Sequence, residues 1–259
     1  MAGLSRFLGV LKLFDEAKST WTVPDLAQQL QLPVSTVYRT VRELTASDFL
    51  EPAHEGHYRL GAAFVEFDRL IRLTDPLVRF GQPMLREIGM QAKLPCIALL
   101  ARLYGDTVMC VADHGISHEG IISSYERGKP MPLTRGATSK MILAELPPRR
   151  LKKLLSIQAP ATRRPFRIKP EELMEELVYT KKRGFCVTRG EIDKGLMGIS
   201  APVVAKDMGI AASLSLVVRA VDIDASIERR LTLLLVSSAS LLTADLTNPL
   251  DQRHSAKAG

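Results

Sequence analysis

The chain opens with apolar residues at helical spacing: Leu4, Phe7, Leu8, Leu11 and Phe14 alternate with polar positions. A second periodic run places Leu26, Ala27 and Leu30 on one face. Thr22 followed by Asp25 is a capping-box signature, and Pro24 stands where a missing N–H costs little. A third run sets Val37, Val41 and Leu44 at i, i+4 and i+7, and Pro33 suits its first turn. Ser35, Thr36, Tyr38, Arg39, Thr40, Arg42 and Glu43 are then left on the outside. Leu50–Pro52 and His57–Leu60 read as short strands around Ala53–Gly56, with Gly56 supplying the turn. The pattern predicts a helix, a tight turn, a second helix and a β-wing.

Ala62–Leu73 predicts a further helix with Phe64, Phe67, Leu70 and Ile71 on one side, broken at Thr74-Asp75-Pro76. A helix between two small domains has little local core, so this stripe is expected to meet a second subunit. Another helix is predicted from Leu77 to Gln91. Strand patterns follow at 96–100, 107–111 and Gly120–Ser124, then helices at Ser139–Leu146, Pro148–Ile157 and Pro170–Arg183. Further strands are predicted at Phe185–Thr188, Gly198–Val204 and Gly209–Val218, with a last helix at Ile223–Leu246. Strands mainly at the two ends with helices inserted predict an antiparallel sheet covered by helices, an α+β arrangement. The expected divisions are 1–61, a linker helix at 62–75, a second domain at 76–247 and a mobile tail at 248–259.

The polar face of the third helix fits duplex DNA. Ser35 and Thr36 at a helix N-terminus suit a phosphate. Arg39 can reach a guanine edge or a phosphate, Tyr38 and Thr40 can meet bases, and Arg42 lies on the same surface. His57 and Arg59 stand where a wing approaches the backbone or the minor groove. A helical hairpin with a merely solvated face has the same pattern.

Charge qualifies this picture. The chain carries a formal +7, yet residues 1–60 hold six basic against seven acidic side chains. The excess lies at 127–183, with 15 basic and 5 acidic residues. Only the local helix and wing surface therefore supports a polyanionic partner. At 259 residues and 46% hydrophobic content, two cores are expected. No secretory signal is read at the N-terminus, and the apolar stretch around 231–242, interrupted by serines, is too short to span a bilayer. Three widely spaced cysteines, Cys96, Cys110 and Cys186, predict reduced, buried thiols in a cytoplasmic protein.

The order of these pieces resembles the IclR family of bacterial transcriptional regulators over roughly residues 4–247. The carrying motifs are 32–39 in the reader helix, Pro132-Leu133 with Lys140–Ala144, Arg183-Gly184-Phe185 with Arg189-Gly190-Glu191 and Gly195, Ser200–Val203, and Ala211–Ser215. The resemblance implies a winged helix-turn-helix followed by a GAF-like effector domain. It also implies a dimer or tetramer reading an inverted-repeat operator in double-stranded DNA, and a small organic acid or aromatic effector. The implied effector pocket has the loop Thr134–Ser139 on one wall, including Arg135, Gly136, Ala137 and Thr138, with Ser123 on a nearby strand. Thr188, Glu191, Gly198, Ser213 and Ser215 form the other. Gly136 and Ala137 let backbone N–H groups approach an anion at a helix N-terminus, and Ser215 and Thr188 can donate to carboxylate oxygens. Equally, Gly136 can simply make a turn and the serines satisfy the sheet. The chain departs from the family pattern at Arg135, Ser139 and Gln31, where a small residue, a glycine and a glycine are usual. Arg135 can anchor an acidic ligand or point to solvent.

Enzymatic readings fare poorly. Ser139 and Lys140 are adjacent, so on a helix they diverge. Asp113-His114 and His118-Glu119 have metal-like spacing but are expected in a loop. No nucleophile elbow, P-loop or dinucleotide fingerprint is present, and no cofactor or metal is expected. The alternative to a regulator is a small-molecule-binding or hydrolytic domain whose N-terminal hairpin serves protein contacts only.

Overall fold

The computed structural model describes residues 3–116, 121, 123–161 and 170–248. The chain divides into two compact units between Leu73 and Thr74.

The N-terminal unit contains α1 (Gly3–Leu11), β1 (Trp21–Thr22), α2 (Val23–Leu30), α3 (Val34–Ala46), β2 (Leu50–Pro52), β3 (His57–Leu60) and α4 (Ala63–Thr74). The dividing line falls in the last turn of α4, so that helix goes with this unit. Its three strands pair in the order β1-β3-β2, all antiparallel. Strand β1 has only two residues, too few for an alternation to register in the sequence. The core joins Val10, Trp21, Leu26, Ala27, Val37, Val41, Leu44 and Leu50, the apolar stripes of the first three helices plus the wing. Thr22 caps α2, its hydroxyl accepting from the Asp25 N–H at 3.3 Å. The turn into α3 is made by Gln31 in the left-handed region (φ 54°, ψ 43°), with Leu32 N–H donating to the Ala27 carbonyl at 3.0 Å. Gln31 thus adopts a conformation that glycine adopts freely, at a cost of about 1–2 kcal/mol. Pro33 is the N-cap of α3 rather than a residue of its first turn.

The second unit contains α5 (Pro76–Ala92), β4 (Cys96–Tyr104), β5 (Thr107–Ile116), β6 (Pro130–Met131), α6 (Ala137–Glu145), α7 (Pro148–Ala161), α8 (Pro170–Arg183), β7 (Cys186–Arg189), β8 (Leu196–Ala205), β9 (Ile210–Arg219) and α9 (Ala225–Thr247). Its strands form one antiparallel sheet in the order β6-β5-β4-β9-β8-β7. Alternation along β4 and β9 explains the layers. Cys96, Ala98, Leu100, Ala212, Leu214, Leu216 and Val218 share a core with Leu77, Leu85 and Ile88 of α5 and Leu231, Leu235 and Leu242 of α9. Leu99, Ala101, Leu103 and Val217 share the other with Met141 and Leu143 of α6, Leu151 of α7 and Leu173 of α8. A Cβ on Gly81 would fall 2.0 Å from Leu100 Cδ1, so glycine lets α5 lie close to the sheet. Helix α9 is long and apolar enough by length and composition to cross a membrane, but its apolar face is part of this core. Asp75 caps α5 through the Leu77 N–H (2.9 Å) and pairs with Arg102 of β4 at 3.0 Å.

Some expectations are corrected. Asp113, His114 and Gly115 belong to β5, not to a loop; the glycine there is an ordinary strand residue paired with Ile97. Of the strand expected at 120–124, Gly120 and Ile122 lie outside the described residues, and Ile121, Ser123 and Ser124 are not in a strand. His118, Glu119 and the tail beyond Asn248 also lie outside the described residues.

Candidate functional site

The polar surface of α3 is assembled as the periodicity requires. Ser35, Tyr38, Arg39 and Arg42 are exposed, Tyr38 at 56%. No side chain caps the first turn; the Pro33 carbonyl accepts from the N–H groups of Thr36 (2.9 Å) and Val37 (3.1 Å). Thr36 is half-buried. Thr40 corrects the expected outward set: it is only 4% exposed and donates its hydroxyl to the Thr36 carbonyl at 3.0 Å. It lies between the apolar stripe and the polar face, where a threonine is held by its own helix backbone. In the wing, Arg59 is exposed and pairs with Glu51 across the strand at 2.5 Å. The half-buried His57 stacks on His54 with ring centroids 5.3 Å apart. The wing thus presents a partly neutralised arginine and two stacked imidazoles.

In the second unit the N-terminus of α6 meets the connection between β7 and β8. Gly136 is the N-cap, at φ 80°. A Cβ there would stand 2.6 Å from the Tyr125 hydroxyl and 2.8 Å from Ile192 Cγ1. The Gly136 N–H donates to Glu191 Oε2 at 2.8 Å, and the Ala137 N–H donates to the Thr188 hydroxyl at 3.0 Å. The chain's own carboxylate therefore occupies the positive end of α6. Beneath it, Lys140 Nζ donates to Glu191 Oε1 and Glu176 Oε1, each at 2.7 Å. Lys140 is 1% exposed. Burial alone would lower its pKa, but the two carboxylates outweigh this and hold it above the ordinary lysine value. Arg135 neither faces solvent fully nor stands free, because its guanidinium donates to the Glu191 carbonyl.

The serines expected on the far wall have different neighbours. Ser215 is fully buried, where its hydroxyl accepts from Thr138 Oγ1 (3.1 Å) and lies 2.9 Å from Ser200 Oγ. Ser213 donates to the Thr138 carbonyl at 3.2 Å. These groups tie α6 to the sheet. Ser123 accepts from the Tyr125 N–H at 3.1 Å rather than standing on a strand. A small cavity of about 20 Å³, room for one water, is lined by Tyr125, Thr188, Gly190, Glu191, Ile192, Asp193, Leu196, Gly198 and Val217. Thr188, Glu191 and Gly198 of the expected set line it. Tyr125, Ile192, Lys140 and Glu176 were not foreseen. A lysine in the run Lys140–Ala144 was the available signal, since a charge flanked by apolar residues needs partners when buried.

The thiols are held neutral. Burial pushes Cys110 up to about 12, and Cys96 and Cys186 up to about 11. Among the described residues no three His, Cys, Asp or Glu side chains cluster as a metal site.

Residues 75–243 match the family described as bacterial transcriptional regulator IclR C-terminal, and residues 3–53 match the IclR helix-turn-helix domain. The chain is 24% identical to the HTH-type transcriptional regulator KipR of Bacillus subtilis, across 81% of this chain and 82% of that protein. It is 28% identical to the transcriptional repressor IclR of Escherichia coli, across 76% and 73%. Its fold matches an IclR homologue from Microbacterium hydrocarbonoxydans, solved with 4-hydroxybenzoate, at a TM-score of 0.77 and 22% identity, covering 94% and 98% of the two chains. KipR and IclR are both named as regulators of transcription. A helix-turn-helix ahead of a helix-covered antiparallel sheet, matched by family over both parts, makes this chain a member of the IclR family of DNA-binding transcriptional regulators.

Proposed function

We propose that this regulator is gated by a small anionic metabolite, an organic acid or an aromatic acid, received at the N-terminus of α6. The observation that carries the reading is Glu191: a carboxylate already sits on the Gly136 N–H, with a buried ammonium behind it. An effector carboxylate fits the same electrostatic seat. The present cavity holds about one water, so binding requires Glu191 and Ile192 to swing aside. The 4-hydroxybenzoate held by the Microbacterium homologue has the chemistry expected of such a ligand. Effector binding changes DNA affinity only through unequal affinity for two arrangements of the protein.

On the DNA side, Ser35, Thr36, Tyr38, Arg39 and Arg42 carry the contacts, with His57 and Arg59 from the wing. The expected partner is an inverted-repeat operator read by a homodimer or a pair of dimers in the cytoplasm. The apolar side of α4, with Phe67 and Ile71 each at 47% and Leu70 at 41% exposure, is the surface a second copy would cover.

A thermal-shift screen of 4-hydroxybenzoate, benzoate and pyruvate on the full chain tests the effector reading. A saturable rise in melting temperature, altered in Gly136→Ala, is the expected result. No shift with any acid, or an unchanged shift in that variant, overturns it.

A further inference from the structure

A second cavity lies wholly within the N-terminal unit, between α1 and α3. Its volume is about 120 Å³, and it is lined by Arg6, Phe7, Thr36, Arg39, Thr40 and Glu43. That is more room than a single water needs. Its polar groups satisfy one another only in part. Arg6 Nε is buried without a hydrogen-bond partner among the described residues. A desolvated, unused guanidinium donor is costly and calls for a specific explanation. The Thr40 hydroxyl is committed to the Thr36 carbonyl, which leaves the Thr36 hydroxyl and two guanidinium groups as donors. Glu43 is the one acid in the lining, so the cavity carries a net positive charge. Arg39 and Thr36 belong to the helix that presents Ser35, Tyr38 and Arg42, so the cavity adjoins the DNA-reading surface.

We infer that this cavity seats a phosphate of the DNA backbone beside the bases that α3 reads, with Arg6 as its principal donor. The inference rests on the DNA-binding assignment and adds to it a residue of α1, ahead of the α2–α3 hairpin and the wing. A guanidinium offers paired N–H donors matched to phosphate oxygens, which a lysine cannot reproduce. Arg6 then fixes the register of α3 on the duplex without reading sequence. Free inorganic phosphate shares this chemistry, and the experiment separates the two.

The test uses the full chain and two labelled duplexes, one from the region upstream of its own gene and one of scrambled sequence. Fluorescence anisotropy follows binding between 50 and 200 mM salt. In Arg6→Gln, affinity should fall by a similar factor on both duplexes. The slope of log affinity against log salt should flatten by about 0.9 for each phosphate that is no longer neutralised. Arg6→Lys should keep the slope while binding less tightly, and Thr36→Val should weaken both duplexes equally. A wild-type slope in Arg6→Gln overturns the inference, as does a weakening confined to the upstream duplex. So does a melting-temperature shift with 10 mM inorganic phosphate in the wild type alongside an unchanged DNA slope in Arg6→Gln. If circular dichroism shows Arg6→Gln unfolded, Arg6→Lys and Thr36→Val decide: an equal weakening on both duplexes supports the inference, and unchanged affinity or a weakening confined to the upstream duplex overturns it. Failure of the wild type to bind either duplex would instead count against DNA binding itself.

Discussion

At the residue scale, the most consequential side chain is Lys140. It is buried between two carboxylates that each keep about a third of their surface exposed. Removing it strands both acids near an apolar core, but their partial exposure softens the penalty. Lys140→Met is expected to lower stability by about 2 kcal/mol in urea unfolding. The pH sign follows from its raised pKa. The stabilisation is present in full below the ordinary lysine value, about 10.4, and is lost as pH rises through the elevated folded value. Wild-type stability should therefore fall more steeply than that of Lys140→Met in melts above about pH 10. Ser139, next to it, has a buried hydroxyl with no partner among the described residues. Ser139→Ala should be neutral or stabilising by up to about 1 kcal/mol, read as a shift in urea midpoint. The three cysteines, held protonated by burial, should resist a thiol reagent at pH 8 in the native state and all react in denaturant.

At the scale of elements, helix and strand periods are readable because each has one face in a core. Leu26, Ala27 and Leu30 of α2 and the alternation along β9 are such cases. The wing strands at 50–52 and 57–60 and helix α8 stand at the bounds the sequence predicts. Strands β1 and β6 are not legible, since two residues carry no period. Gly115 misleads because glycine is usually a strand breaker, whereas here it pairs normally in β5. Thr40 misleads because a polar side chain on a helix need not be exposed. The Glu191–Lys140 and Glu191–Gly136 contacts bridge about fifty residues of sequence, and no local pattern encodes such a meeting. Turns supply their own test. Gln31 is held in the left-handed region, so Gln31→Gly should raise the melting temperature, by an amount equivalent to about 1 kcal/mol. Gly136→Ala should do the opposite, because its Cβ meets Tyr125 and Ile192 at a positive φ.

At the scale of the whole molecule, the order of the two units is evident from the change in period near residue 75. The partner of α4 is not, because an unpaired apolar stripe looks alike whether it meets its own chain or another. Phe64 and Phe67 contact Phe49, with ring centroids 5.6 and 5.9 Å away, so part of the stripe is satisfied internally. Leu70 and Ile71 remain 41% and 47% exposed. The proposed pairing of two copies through α4 predicts that Ile71→Glu runs as a monomer in light scattering after size exclusion where the wild type does not, and binds an inverted-repeat operator more weakly through loss of bivalency.

The junction at Asp75 has a practical corollary for protein engineering. Its carboxylate both starts α5 and grips Arg102, so the first residues of the second unit are anchored in that unit's own sheet. A hybrid regulator made by exchanging reading heads should therefore be spliced at or before Thr74. A cut one residue later would deliver a second unit whose leading helix has lost its N-cap and its tie to Arg102, however well the grafted head folds.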